Sequence, residues 1–221
     1  MLKEKDFVEI EFTGKIKGGE IFDSNTKEDI EKEELKTQAK PFVFSLGQGM
    51  FLKGIDDFLI GKEVGKQYNI QLNAENAFGK RNPELIRLIP LNIFKQHKLN
   101  PVPGIMFDFD GRLAKVLSVS GGRVRIDFNL PLAGKDVEYK IKVLRKLEDL
   151  NDKINSLNEF LFRKKFPFSI KDKKLIMQVD KPLVKFVELF KEKFKELFEL
   201  ELEVHEIEAK QKEKSSETKN K

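Results

Sequence analysis

QLNAENAFGKRNPELIRLIP, residues 71–90, begins as an alternating strand, turns at the aromatic-glycine pair Phe78-Gly79, and ends in an apolar run held between Pro83 and Pro90. A strand that closes on such a corner and opens onto an apolar run predicts the end of one unit and the start of another. Upstream, FVEIEF (7–12) sets Val8, Ile10 and Phe12 on one face, PFVFSLG does the same with Phe42, Phe44 and Leu46, and QYNIQL with Tyr68, Ile70 and Leu72. These alternations predict half-buried strands. Between them, FLKGIDDFLIG spaces Leu52, Ile55, Phe58 and Leu59 as a helix does and then stops at glycine. EYKIKVLRKLE, with Tyr139, Ile141 and Val143 alternating, is expected to be the last strand of this unit, an antiparallel sheet packed on one short helix. The charged stretch at 24–40 reads as an excursion from the sheet edge, able to carry a solvated surface helix.

Downstream of the corner, residues 83–134 read as an insert. IMFDFDG, LAKVLSV and RVRIDFNL are short strands joined by Asp-Gly and Gly-Gly turns, and the parent sheet resumes at LAGKDVEYKIKV, so the two ends of the insert are expected side by side. Residues 149–206 read as a third unit, α-β-β-α-β. Leu150, Ile154, Leu157 and Leu161 mark its first helix; FSI, KLIMQV and LELEV are its strands. DKPLVKFVELFKEKFKELF is its second helix, capped by Asp180 with Pro182 in the first turn, and carries a Phe stripe (186, 190, 194, 198) expected to be core, with a part that could face a partner. Residues 207–221 are expected to be a disordered charged tail.

Bulk properties exclude more than they assert. The 221 residues hold no cysteine and two isolated histidines, His97 and His205, which removes thiolate chemistry and argues against an imidazole metal site. No apolar run approaches a membrane span, and MLKEKDFVEIEF lacks the apolar region of a signal peptide, so a cytoplasmic protein without membrane contact is expected. Of the net charge of +5, residues 209–221 supply +3, five lysines against two glutamates. The remainder is nearly balanced, unlike a nucleic-acid-binding face; the basic tail is the one foothold for a weak ribosome contact. Phosphate loops, nucleophile elbows and metal-ligand spacings are missing. What remains is a concentration of aromatic side chains around a few acids: Phe12, Phe22-Asp23, Phe42, Phe51, Phe78 and Tyr139. On pattern alone these fit an ordinary core as well as a pocket, and Asp23 fits a turn.

The ordered set FTGKIKGGEIFDS, FSLGQGMFLKGIDDFLIG, VGKQYNIQLNAENAFG and YKIKVLRKLE resembles the FKBP-type peptidyl-prolyl cis-trans isomerases over residues 7–82 and 135–148. The insert, entered through LIRLIP and left through NLPLAGK, resembles the insert-in-flap domain of the SlyD-like branch, and the added C-terminal unit resembles the long archaeal members. The resemblance implies an α+β fold: an antiparallel half-barrel sheet around a short helix, a small β-rich domain in the flap, and a C-terminal α/β domain. It implies a prolyl pocket walled by Phe12, Phe42, Phe51, Leu52, Ile55, Phe78 and Tyr139, with a polar contact from Asp23 and the Leu52 N–H anchoring a substrate carbonyl.

No cofactor is implied, and no metal either, since the tail lacks the histidines of SlyD-like proteins. The expected partners are unfolded or nascent proline-containing polypeptides. Ile55 stands where better-known members carry Trp, and Phe78 where they carry Tyr; this points to modest catalysis, weak macrolide binding, and the alternative of a holdase with little isomerase activity. The apolar density of the insert (Leu85, Ile86, Leu88, Ile89, Leu91, Ile93, Phe94, with adaptable Met106) suggests core plus an exposed groove for extended client segments.

Overall fold

The computed structural model describes residues 1–35 and 37–207; all but the first residue of the expected tail lies outside them. The parent unit opens with β1 (Phe7–Ile16), β2 (Ile21–Ser24), helix α1 (Lys27–Lys32), β3 (Phe42–Ser45), helix α2 (Lys53–Leu59) and β4 (Gln67–Leu72). The chain then leaves the sheet for β5 (Ile86–Pro90), α3 (Leu91–Gln96), β6 (Met106–Phe109), β7 (Arg112–Ser120) and β8 (Arg123–Asp127), and returns as β9 (Val137–Lys146). The parent sheet runs β2-β1-β9-β4, with β3 also on β1, all antiparallel. The last strand in sequence therefore fills the centre of the sheet, between β1 and β4.

Alternation along β1 buries Val8, Ile10 and Phe12 as expected. Phe7 is buried as well, because its other face is covered by the C-terminal unit. Helix α2 presses Ile55 and Leu59 into the sheet. It comes so close that a Cβ on Gly54 would lie 2.5 Å from Leu72 Cδ2 and 3.0 Å from the Asn76 carbonyl oxygen. The 24–40 excursion does contain a one-and-a-half-turn helix, and polar contacts tie it down: Asp29 accepts hydrogen bonds from the hydroxyls of Thr13, Ser24 and Thr26.

The ends of the insert do lie side by side. The Gly134 N–H donates to the Gly79 carbonyl at 2.8 Å, and Asn82 and Asn129 exchange hydrogen bonds at 2.8 and 2.9 Å. Its strands form a separate antiparallel sheet, β5-β8-β7-β6, over a small core of Phe94, Ala114, Val116, Val124 and Ile126.

The C-terminal unit follows β9 almost at once: α4 (Leu150–Phe162), capped by the Asp149 carboxylate on the Asp152 N–H, then β10 (Phe168–Lys171) and β11 (Lys174–Val179). After them come α5 (Val184–Glu188), α6 (Lys191–Phe198) and β12 (Glu201–Glu206), which pairs parallel to β11. The expected continuous helix over 180–198 is instead broken. A 3-10 turn at Lys181–Leu183 holds Pro182, and Phe190, at φ −98° and ψ 9°, separates α5 from α6. Val187 and Phe194, seven residues apart, both point into the core across the break, as they would on one straight helix. The Phe stripe is accordingly only partly core: Phe194 is fully buried, Phe190 and Phe198 are half-buried, and Phe186 is 46% exposed beside Leu189 at 77%. Phe7 stacks on Phe198 at 5.6 Å, so parent sheet and C-terminal unit share one continuous hydrophobic cluster. None of the described helices is long and apolar enough to cross a membrane.

Candidate active site

Strands β1, β3 and β9 and the loop before α2 each contribute a ring to one cluster. Phe12 lies 5.2 Å from Phe51, 6.0 Å from Tyr139 and 6.4 Å from Phe42; Phe51 lies 5.4 Å from Phe42 and 5.8 Å from Tyr139. Edge-to-face and tilted pairs dominate, the arrangement that ring quadrupoles favour. A second layer joins through Phe22, whose ring is 5.9 Å from Tyr139 and 5.6 Å from Phe78. Register explains the meeting: Gly14 pairs with Asp23 on one side and Tyr139 on the other. Because Gly14 has no side chain, the rings of Tyr139 and Phe22 close over it; an added Cβ would sit 2.8 Å from Tyr139 Cε1 and 3.1 Å from Phe22 Cζ.

One buried amide completes the wall. Strands β2 and β3 both pair with β1 but leave a gap between them, and the Asn25 side chain fills it. Its Oδ1 accepts from the Phe12 N–H at 2.7 Å, while its Nδ2 donates to the carbonyls of Ile10 and Lys40 at 3.0 and 3.2 Å. Asn25 thus stands in for a missing stretch of strand and fixes Phe12 relative to the approach to β3.

Titratable groups in the cluster are few. Burial raises the Asp23 carboxyl above its ordinary range, opposed by the Ser24 N–H. Burial, and then the charge of nearby Asp23, push the Tyr139 phenol up. Neither group forms a charge relay with a nucleophile, so what the arrangement offers is a dry, ring-lined surface with one carboxylate at its edge. Helix α2 begins at Leu52, whose carbonyl accepts from the Ile55 and Asp56 N–H groups and whose own N–H precedes the helix. Asp56 is buried under the 47–51 loop, with Oδ2 accepting from the Gly49 N–H at 3.2 Å and Oδ1 unpartnered.

The structure thus brings Phe12, Phe42, Phe51 and Tyr139 into direct ring contact and joins Phe78 and Asp23 to them through Phe22 and Gly14. Leu52 lies partly buried against the same core, and Ile55 is fully buried beneath it. Sequence reading missed the roles of Phe22 and Asn25. The first sat beside Asp23 in the quoted string; the second carries no sequence signal, since a gap-filling amide looks like any loop asparagine.

In the insert, Leu88 is 61% exposed, with Ile93 and Met106 exposed and Ile86, Ile89 and Leu91 half-buried. Phe94 is a correction: at 1% exposure it is the centre of the insert's core, against Phe107 at 5.7 Å and Phe109 at 6.0 Å, and offers no surface. Leu113 and Leu130, not anticipated, are exposed apolar side chains of the same unit.

Residues 1–93 match the family model described as FKBP-type peptidyl-prolyl cis-trans isomerase, and residues 87–132 match that described as FKBP26, IF domain. A short-type peptidyl-prolyl cis-trans isomerase of Methanocaldococcus jannaschii is 28% identical over 146 residues, covering 65% of this chain and 92% of the relative. A probable FKBP-type 16 kDa isomerase of Pseudomonas fluorescens is 31% identical over 47% of this chain and 71% of its own. The SlyD isomerase of Treponema pallidum is 28% identical over 71% of this chain and 82% of its own.

Proposed function

The chain belongs to the FKBP-type peptidyl-prolyl cis-trans isomerases, and from that premise we propose that its ring cluster is the prolyl pocket and its insert a client-holding arm. The observation that carries the pocket is the convergence of Phe12, Phe42, Phe51 and Tyr139 at the start of α2, with Asp23 in register beside them. Rotation about an amide costs about 18–20 kcal/mol because resonance is lost. The planar ground state is more polar than the twisted transition state, so a pocket that excludes water disfavours the former more. A ten-thousand-fold acceleration requires only about 5.4 kcal/mol of that difference. In this reading Phe12, Phe42, Phe51, Phe78 and Tyr139 wall the proline, Ile55 supports them from below, and the Leu52 N–H holds the substrate carbonyl. Asp23 makes the polar contact and Phe22 is an added wall residue.

The insert, residues 83–134, sits between parent segments 1–82 and 135–148, and 149–206 form the C-terminal unit. Strand β5 is an edge of the insert sheet, and Ile86, Leu88 and, on the following helix, Ile93 expose apolar surface there, while Met106 does so at the opposite edge, on β6. An unfolded polypeptide added as a strand along β5 would meet main-chain partners and apolar side chains together. Holding a client there raises the local concentration of its prolines at the pocket. The test is refolding of a proline-limited client protein by the intact chain and by a form with 83–134 replaced by a short loop. Acceleration by the intact chain and about tenfold less by the shortened form is expected; equal acceleration removes the client-holding role. Turnover of a short proline peptide by both forms locates the chemistry in the parent unit.

A further inference from the structure

Between the parent sheet and the C-terminal unit runs a cleft of about 330 Å3, with Pro41, Phe42 and Val43 on one side and Ser156, Phe160 and Arg163 of the α4 end on the other. Phe42 belongs to both sites: its ring packs against Phe12 and Phe51 in the pocket, and it lines the cleft. The cleft therefore adjoins the place assigned to the proline, across Phe42. Strand β3 pairs only with β1 among the described strands. The Ser45 N–H points away from that partner, to Met50 Sδ, and antiparallel alternation then turns the N–H and carbonyl of Val43 to the same outer edge. Lys40, Arg163 and Glu159 line the cleft; the Glu159 carboxylate lies 3.3 Å from the Lys40 ammonium and 3.7 Å from that of Lys165, just outside it, and the Arg163 guanidinium adds a further positive charge to the lining. The cleft thus combines an apolar floor, a free strand edge and net positive charge.

We propose that this cleft is a second subsite of the isomerase, which takes the polypeptide flanking the bound proline in extended form and favours an acidic side chain there. The proposal rests on the pocket reading above, because the flank is defined by the seated proline. It also gives the C-terminal unit a part in substrate choice: α4 is the far wall.

The test uses the full chain, a proline tetrapeptide too short to leave the pocket, and an unstructured peptide of about twelve residues, able to span about 40 Å, made with glutamates or with lysines beside the proline. Ser156→Trp fills the cleft. Arg163→Asn removes a cation and suits the left-handed backbone at this position, where φ is 55°. The expected result is that Ser156→Trp lowers the kcat/KM ratio of long to short peptide about fivefold, through KM, as loss of one modest contact does. Arg163→Asn is expected to abolish a preference for the glutamate flank. If both variants keep the ratio and the preference of the intact chain, the subsite is refuted. If the intact chain turns over neither peptide, the pocket reading fails by itself. Fluorescence anisotropy of the labelled long peptides still decides the cleft in that case: tighter binding of the glutamate form that Ser156→Trp weakens supports it, and equal binding throughout overturns it.

Discussion

The insert and the C-terminal unit are both additions to one parent sheet, and they are joined to it by opposite means. The C-terminal unit merges its core with the sheet, Phe7 stacking on Phe198 and α4 packing over β3. The insert keeps five fully buried residues of its own. It meets the parent through polar contacts: Arg81 on Asp127 at 2.5 Å, the Asn82–Asn129 exchange, and Gly134 on Gly79. Apolar fusion transmits any loss of packing through the whole cluster, whereas a polar neck isolates it. The proposed pocket, which needs fixed rings, lies in the fused body; the proposed client surface lies beyond the neck.

The largest effects should expose this difference. Phe194→Ala, deep in the shared cluster, is expected to cost about 3–5 kcal/mol and to lower the unfolding midpoint of pocket and C-terminal unit together. Phe94→Ala should cost a similar amount inside the insert only, leaving short-peptide turnover intact while client refolding declines. Calorimetry with a parallel peptide assay reads both. If Phe94→Ala shifted the pocket's transition as far as Phe194→Ala does, the two additions would not differ as described.

Periodicity made most of this architecture legible. Strands at 7–12, 42–46, 67–72 and 137–146 alternate over half-buried faces, and two turns, Asp110-Gly111 and Gly121-Gly122, delimit the insert's hairpins. Order along the chain, not any single string, carried the family resemblance and with it the expectation of a pocket. What escaped was decided by tertiary packing. The break at Phe190 is one such feature, and no local signal in KFVELFKEKF announces it. Phe94 and Leu88 are equally apolar in sequence; packing of helix α3 on the sheet makes Phe94 core, while Leu88 on the edge strand β5 faces outward. The shared core was likewise invisible, since Phe7 lies off the alternating face that defined β1.

Next in size is Asn25, whose side chain ties down Phe12 in the wall of the proposed pocket. Asn25→Ala would take their side-chain partner from the buried Phe12 N–H and Ile10 carbonyl and from the more exposed Lys40 carbonyl. The cost is expected to be about 2–3 kcal/mol, the usual penalty for buried groups left without partners. Because Phe12 is released, kcat/KM for a short proline peptide should decrease beyond what the lower stability explains at a temperature where the variant is fully folded. An unchanged kcat/KM under those conditions would mean that Phe12 is held by its ring neighbours alone.

The smallest effect separates the two regions by sign. At the insert's neck burial alone would raise Asp127, but Asn129 and Arg81 donate to it and more than reverse that, so its carboxyl titrates below the ordinary range. Its stabilisation is present above the unfolded pKa and is lost as pH falls through the folded one. Asp56, in the fused body, is pushed up to about 6 by burial, which the Gly49 and Gly47 N–H groups only partly offset. The folded state then holds an extra proton between the ordinary carboxyl value of 3.8 and about 6, so the stability this group contributes is greatest below that window and declines as pH rises through it. The decline amounts to at most about 3 kcal/mol. Asp56→Asn abolishes the charge and keeps an oxygen for Gly49, but its NH2 enters a site where Oδ1 already lacks a partner, at a cost of about 1–2 kcal/mol. The variant should therefore be more stable than the parent chain by about 1 kcal/mol at neutral pH, where the charge is relieved, and less stable near pH 4, where the parent is already protonated. Thermal midpoints of both chains across that range would cross; parallel curves would place the orphaned oxygen in contact with water and return Asp56 to the behaviour of a surface carboxylate.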